Sequence, residues 1–349
     1  MNSKQRGLSP FKKNKPDRLP MWYGGAPETT RNIMEYVGAR TENEALYDIL
    51  GIDYKTIRPR YIGRPFEKLS DGTIENEWGI RRAGCYWGQA INHPLENAES
   101  IKDLEKYRFP NPNDWDVKIS AEDLTDAEGF CIIGGTWAPF FHDAAELIGM
   151  EKFFIKMYED PDFIDALIEK CFEFYYEINI RVFKTNPGVI DIYFMGNDFG
   201  SQRGLLISPQ LWRRFFKPRL RKMIDLAHRN GAIAALHSCG DIHEILPDLI
   251  DIGLDVINPI QVFAENMNPE VLKREYGKDI VFFGGIDVNE VLRLGSEEDV
   301  RRETRRIIDI LGYDGKYIVA ASHDYLLPEI PAANIVAMYD EAMKYSMGK

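Results

Sequence analysis

AIAALHSCGDIHEILPDLIDIGLDVINPI, residues 232–260, holds two short apolar runs, AIAALHS (232–238) and DVINPI (255–260), on either side of a polar-broken connection. Runs this short, and nearly continuous in Val, Ile, Leu or Ala, suit strands covered on both faces, as in a parallel sheet. Working outward, six more such runs appear: LPMWYG (19–24), IDYKTIRP (52–59), FCIIGG (130–135), IDIYFMG (190–196), IVFFGG (280–285) and YIVAAS (317–322). Helical patterns lie between them. Residues 162–185 set Phe163, Leu167, Cys171, Phe172, Tyr175 and Ile178 at three- and four-residue steps, a packing stripe. Ser208-Pro209 reads as an N-cap with proline at the first helical position. The helix it opens should kink near Pro218 and end by Gly231. Ser296 before Glu297, Glu298 and Asp299 is a further helix start, because acids favour the positive end of the helix dipole.

Alternating strands and helices imply an α/β fold. Eight strands predict a (β/α)8 TIM barrel. An open doubly wound sheet is the alternative. Its nucleotide-binding versions lose support, because no G-x-G-x-x-G follows an early strand and no Walker A is present. Residues 60–128 are long for a strand-to-helix connection. Asp71-Gly72 between extended runs is a hairpin signal, and RAGCYWGQAI (82–91) can add another strand. The expected organisation is one barrel domain over 1–349, with an N-terminal extension. A β-hairpin excursion follows the second strand, with 60–128 serving as an excursion or lid.

Composition limits the function classes. The chain carries 43 Lys+Arg against 55 Asp+Glu, a formal charge of −12 over 349 residues, which argues against a nucleic-acid binder. With 44% apolar and 28% charged residues, a large folded core is expected. Cys85, Cys131, Cys171 and Cys239 are too sparse for a disulfide scaffold and form no CxxC pair, which favours a reducing, cytoplasmic setting. No apolar run approaches the roughly 20 residues of a membrane span. The start, MNSKQRGLSPFKKNKPDR, is basic without the apolar stretch of a secretory signal, and reads as a solvated arm or first surface helix.

In a (β/α)8 barrel, reactive groups gather at the C-terminal strand ends. The candidates there are Tyr23, Trp137, Asn197, Asp198, His237, Cys239, Gln261, Asp287 and His323. The sharpest feature is His237-Ser238-Cys239-Gly240. Residues two apart on a strand point the same way, so His237 and Cys239 can converge, and Gly240 lets the chain turn away. Imidazole nitrogen and thiolate sulfur are a good donor pair for Zn²⁺. The competing reading is a hydrogen-bonded core histidine beside a buried thiol. A zinc site needs at least three protein ligands, and His323 is the best third by position. It reads equally as a substrate hydrogen bonder. Gln261 is a poor ligand but can orient water. Asp198 and Asp287 are oxygen donors or acid/base groups, or simply hold loop amides. His142 is a weaker candidate, with packing at a helix start the blander reading. Trp137, Phe140 and Phe141 line an apolar pocket or fill core.

The blocks PDRLPMWYGG (16–25), GNDFGSQRGLLISP (196–209), HSCG (237–240), INPIQ (257–261), FFGGIDVNEVL (282–292) and SHDYLLPEIPAANIVAMYDEA (322–342) make the chain resemble the uroporphyrinogen decarboxylase-like superfamily. Within it, the resemblance is to the corrinoid-dependent methyltransferases. It covers nearly everything from Pro16 onward. Members resembling the true decarboxylase carry arginines after the first strand to grip a polycarboxylate. Tyr23-Gly24-Gly25-Ala26-Pro27-Glu28 has none, and the second strand lacks the terminal aspartate expected there. His237 and Cys239 match the methyltransferase pattern. The late second cysteine of that pattern is replaced by Ser322-His323, and Gln261 stands where an acid is expected. This departure puts a thiol substrate such as coenzyme M in doubt.

The resemblance implies a methyltransferase that moves a methyl group between a methoxylated, aromatic small molecule and the cobalamin of a separate corrinoid protein. His237, Cys239 and His323 would hold zinc as a Lewis acid. Asp198, Asn197 and Gln202 would orient substrate or the partner's cofactor, with Tyr23, Trp22 and Trp137 forming the aryl pocket and Asp287 holding a substrate hydroxyl or stiffening a ligand. The resemblance also implies a homodimer. Two rival readings are a metal-independent decarboxylase of a smaller acid, using Asp198 or Asp287, and a binding protein with a decayed site.

Overall fold

A computed structural model describes residues 1–12, 15–66, 68–70, 72–83 and 88–347. Seven parallel strands form one curled sheet: β1 Tyr54–Ile57, β2 Cys131–Gly134, β3 Ile192–Gly196, β4 Ile233–His237, β5 Val256–Asn258, β6 Val281–Phe283 and β7 Tyr317–Ile318. They neighbour one another in chain order. With helices between successive strands, this is a TIM-like α/β fold.

The run 19–24, expected as a strand, is extended chain that bridges the two sheet edges. Toward β7, Trp22 N donates to Val319 O (3.0 Å) and Val319 N to Pro20 O (2.9 Å). Toward β1, Asp53 N donates to Met21 O (2.9 Å), while the Met21 amide is taken by the Asp53 carboxylate (3.0 Å). Pro20 has no N–H and Met21 spends its own on a side chain, so no regular ladder forms.

Alternation along the strands sorts the core into two layers. Met21, Tyr193, Met195, Leu236, Ile257, Phe282 and Val319 pack with the surrounding helices. Trp22, Tyr54, Ile133, Phe194, Ala235, Val256, Phe283 and Ile318 form a separate buried cluster on the other, inner face. Position 237 shares the parity of Ala235 and therefore opens to that inner face.

The helix signals hold. The stripe from 162 lies in the helix Pro161–Thr185, with Cys171 fully buried. Ser208 Oγ accepts from Leu211 N and caps Pro209–Phe215. The chain breaks at Phe216, two residues before the proline, and continues as Lys217–Arg229. Ser296 and Asp299 form a reciprocal capping box for Glu297–Leu311.

Residues 3–7 form a helix capped by Asn2. This helix docks against the sheet: Lys4 N donates to Gly129 O and Tyr54 OH to Gly7 O. The segment after β1 contains short antiparallel strands at Ile74–Glu75, Arg81–Ala83 and Gln89–Ala90. Asp71 and residues 84–87, Cys85 among them, fall outside the described residues. Trp78 anchors this segment, 1% exposed and edge-on to Phe174. Arg82 pairs with Glu146. Among the described residues, no helix is long and apolar enough to cross a membrane.

Candidate metal and substrate site

β4 delivers His237 at its last position, on the inner face, and Cys239 two residues on. Their functional atoms meet: Cys239 Sγ lies 3.3 Å from His237 Nε2. Gly240 then turns away at φ 82°, where a Cβ would stand 2.3 Å from the Gly200 backbone, so only glycine fits. From the loop after β3, Asp198 brings Oδ1 to 3.2 Å from His237 Nε2, and the same oxygen accepts the Cys239 amide at 2.8 Å.

Asp198, His237 and Cys239 place one donor atom each within 4.8 Å of one another. Bonds of about 2.0–2.3 Å around a tetrahedral ion set neighbouring donors roughly 3.3 Å or slightly more apart, so this spacing and the nitrogen, sulfur and oxygen chemistry fit zinc. The other ring nitrogen of His237 is fixed. Nδ1 lies 2.9 Å from Asn258 Oδ1, an acceptor whose own amide reaches Phe283 O (3.3 Å). With Nδ1 donating, Nε2 offers its lone pair toward Cys239 and Asp198, the arrangement that ligating histidines keep.

Asp198 joins His237 and Cys239 in the tightest donor group, while His323, expected from the sequence as the third ligand, stands beside it, its ring centroid 6.4 Å from that of His237. His323 lies beside the Cys239 thiol, its Nδ1 accepting the Tyr325 amide (3.1 Å). The chain after β7 thus brings His323 to the Cys239 side of the cluster, and the loop after β3 brings Asp198 to the His237 side.

Charge in the cluster is strongly coupled. Burial by itself would lower the His237 pKa, but the surrounding Asp324, Cys239 and Asp198 carry it well above the ordinary value. Burial would raise Asp198, yet the bond to His237 and two nearby imidazoles hold it below the carboxylate range. His323 is likewise lowered by burial and raised, in net, by Cys239 and Asp324. His142 comes within 3.7 Å of Asp198 Oδ2, and burial lowers it.

The remaining candidates separate. Gln261 sits against the cluster: Nε2 donates to Cys239 Sγ (3.1 Å) and Oε1 accepts Gly240 N (2.8 Å). Trp137 is part-buried, its ring 4.9 Å from His237 and 5.3 Å from Phe194. The turn that presents it is strained, with Ala138 at φ 53°. Asn197 holds that turn, donating to Ala138 O and accepting from Phe141 N, both 3.0 Å. At 1% exposure and with both ends of its amide engaged, Asn197 is a scaffold group rather than the expected substrate contact.

Tyr23 also departs from expectation. It packs toward the helix layer and its hydroxyl pairs with Thr30 (3.0 Å), while Trp22 takes the inner face by alternation. Asp287 Oδ1 caps the turn 288–292 through Asn289 N and Glu290 N. Gln202 lies exposed at the turn of the hairpin 200–205.

Sequence reasoning missed Asn258, Asp324 and Arg58. Arg58 follows the last residue of β1, so the strand-end rule applied to the second run would have found it. Its guanidinium carbon stands 5.4 Å from the Trp137 ring centroid, and burial lowers its pKa to about 10.

The sequence profile described as uroporphyrinogen decarboxylase (URO-D) matches residues 88–345. The chain is 21% identical over 260 residues to "Methylcobamide:CoM methyltransferase MtbA" of Methanosarcina mazei, covering 73% of this chain and 71% of that protein. Over 85 residues it is 35% identical to "Methionine synthase" of Methanothermobacter thermautotrophicus, covering 24% of this chain and 27% of that one. A solved structure, "methyltransferase from Methanosarcina mazei", aligns with 99% of both chains at a TM-score of 0.66 and 18% identity, a likeness of fold. The chain thus belongs to the uroporphyrinogen decarboxylase family, and its resemblance within that family is to the corrinoid-dependent methyltransferases.

Proposed function

We propose that the protein moves a methyl group between a methoxylated, aromatic small molecule and the cobalamin of a separate corrinoid protein, with zinc held by Asp198, His237 and Cys239. The observation that carries this reading is the convergence of those three donors at the inner strand ends, directly against the Trp137 ring. The relative named for methylcobamide supports a corrinoid partner. When bound, zinc would supply Lewis acidity at a departing oxygen.

The protein's own groups prepare the site. Asn258 orients His237. Gln261 donates to the Cys239 sulfur, which stabilises negative charge there. To ligate, His237 must present a bare Nε2 and Cys239 its thiolate, so zinc uptake would release protons. Trp137, packed edge-on to the buried Phe194, offers an apolar surface beside His237 for an aryl ring. The corrinoid protein would dock over the C-terminal strand ends, where Asp198 and Cys239 remain partly exposed. We read 1–349 as one barrel unit, with 60–128 as its cover.

The test combines elemental analysis with methylcobalamin formation, followed by absorbance, using a methoxylated benzene and a corrinoid protein. Zinc at one equivalent and cobalamin methylation are expected, and Cys239→Ala should remove both. Methylation that survives metal loss would overturn the zinc role. Carbon dioxide release from a small acid without any corrinoid protein would replace methyl transfer with decarboxylation.

A further inference from the structure

Arg58 projects from the C-terminal end of β1 toward the same strand ends. Its Nη1 donates to Gly135 O (3.0 Å) and to Phe194 O (3.4 Å), carbonyls of the two neighbouring elements. Those bonds and the Trp137 ring fix its position. Among the described residues, Nε and Nη2 make no hydrogen bond and no carboxylate forms an ion pair with Arg58. Asp324 is the acid whose charge reaches Arg58, but it lies against His237 (3.7 Å) and His323 (3.5 Å). A half-buried guanidinium with one edge tied to the scaffold thus presents a free, planar donor fork. Such a fork matches a carboxylate, whose two oxygens accept parallel N–H bonds. The Trp137 ring lies near both groups, 5.4 Å from the Arg58 guanidinium carbon and 4.9 Å from the His237 ring.

We propose that Arg58 is an anion subsite, and that the substrate carries a carboxylate which Arg58 grips while its opposite end reaches His237 and Cys239. This deepens the reading above by naming a substrate class, and rests on it for the location of the reacting end. It also assigns Trp137 the surface on which the body of the substrate lies. A purely structural Arg58, tying three strand ends together, predicts no preference for anions.

The test reads binding, not turnover. Benzoate is compared with benzamide, and para-methoxybenzoate with para-methoxybenzamide, by calorimetry and by quenching of tryptophan fluorescence. Each carboxylate should bind the wild-type protein at least about tenfold tighter than its neutral amide, the equivalent of one charge-assisted contact. Arg58→Gln should erase the preference without changing zinc content, and Arg58→Lys, which keeps the charge without the fork, should restore part of it. Equal binding of acid and amide to the wild-type protein, absence of carboxylate binding, or a preference that survives in Arg58→Gln would each overturn the proposal. Cobalamin is absent from the assay. Failure here leaves methyl transfer standing, and failure of methyl transfer leaves the anion subsite standing.

Discussion

His237 Nδ1 lies 2.9 Å from Asn258 Oδ1, and both side chains are almost fully buried, at 4% and 0% exposure. The asparagine belongs to β5, paired in register with His237 on β4. A backbone ladder therefore sets which imidazole nitrogen faces the cluster. Asn258→Ala should leave the ring free to change tautomer and tilt. Loss of such a supporting contact typically weakens metal binding by about 10–100-fold. Competition against a chromophoric chelator measures it, and Asn258→Asp, which keeps the acceptor, should retain most of the affinity. Unchanged zinc affinity in the alanine variant would remove the orienting role.

Asp143 offers a pH test away from the cluster. Burial pushes its carboxyl up to about 8, against a hydrogen bond from Tyr175 that favours the anion. The folded chain therefore keeps this proton up to about pH 8, whereas the unfolded chain releases it near pH 3.9. Between those values the folded state binds more protons, so stability falls as pH rises through the window. Asp143→Asn cannot ionise. Its melting temperature relative to wild type should climb from pH 5 to pH 8 and level off above. A difference that stays constant across that range would refute the assignment.

Asp53 is the pin of the sheet closure. Its fully buried carboxylate accepts from Arg6 Nη1 (2.7 Å), Arg18 Nη1 (2.7 Å) and the Met21 amide (3.0 Å). Removing one side of a buried pair leaves uncompensated charge and costs about 3–5 kcal/mol. Urea unfolding of Asp53→Ala should show a loss of that order. A loss of under about 1 kcal/mol would mean that the arginines find water or other partners.

Much of the fold was legible because strand and helix signals are local. Apolar runs, proline at a first helical position and the Ser296 cap each depend on a few neighbouring residues. The extended run at 19–24 was legible as a strand, but its imperfect ladder was not, since the Met21 amide is claimed by a side chain 32 positions away. Asn197 illustrates a second limit. A polar residue at a strand end looks like a substrate contact until the neighbouring loops are placed, and here the loop after β2 contains the strained Ala138 turn that Asn197 holds.

Sequence by itself determined that His237 and Cys239 face one way, because side-chain direction repeats every two residues along an extended chain. It also marked the runs that become strands, since short continuous apolar stretches suit a sheet covered on both faces, while their sequential order is a finding of the fold. Only the tertiary structure decided that Asp198 stands against His237 and Cys239, that of Trp22 and Tyr23 it is Trp22 that takes the inner face, and that Arg58 and His237 both lie near Trp137. Those outcomes depend on how the strand ends stand side by side around the curled sheet, a spacing set by inter-strand pairing and packing that no single segment encodes.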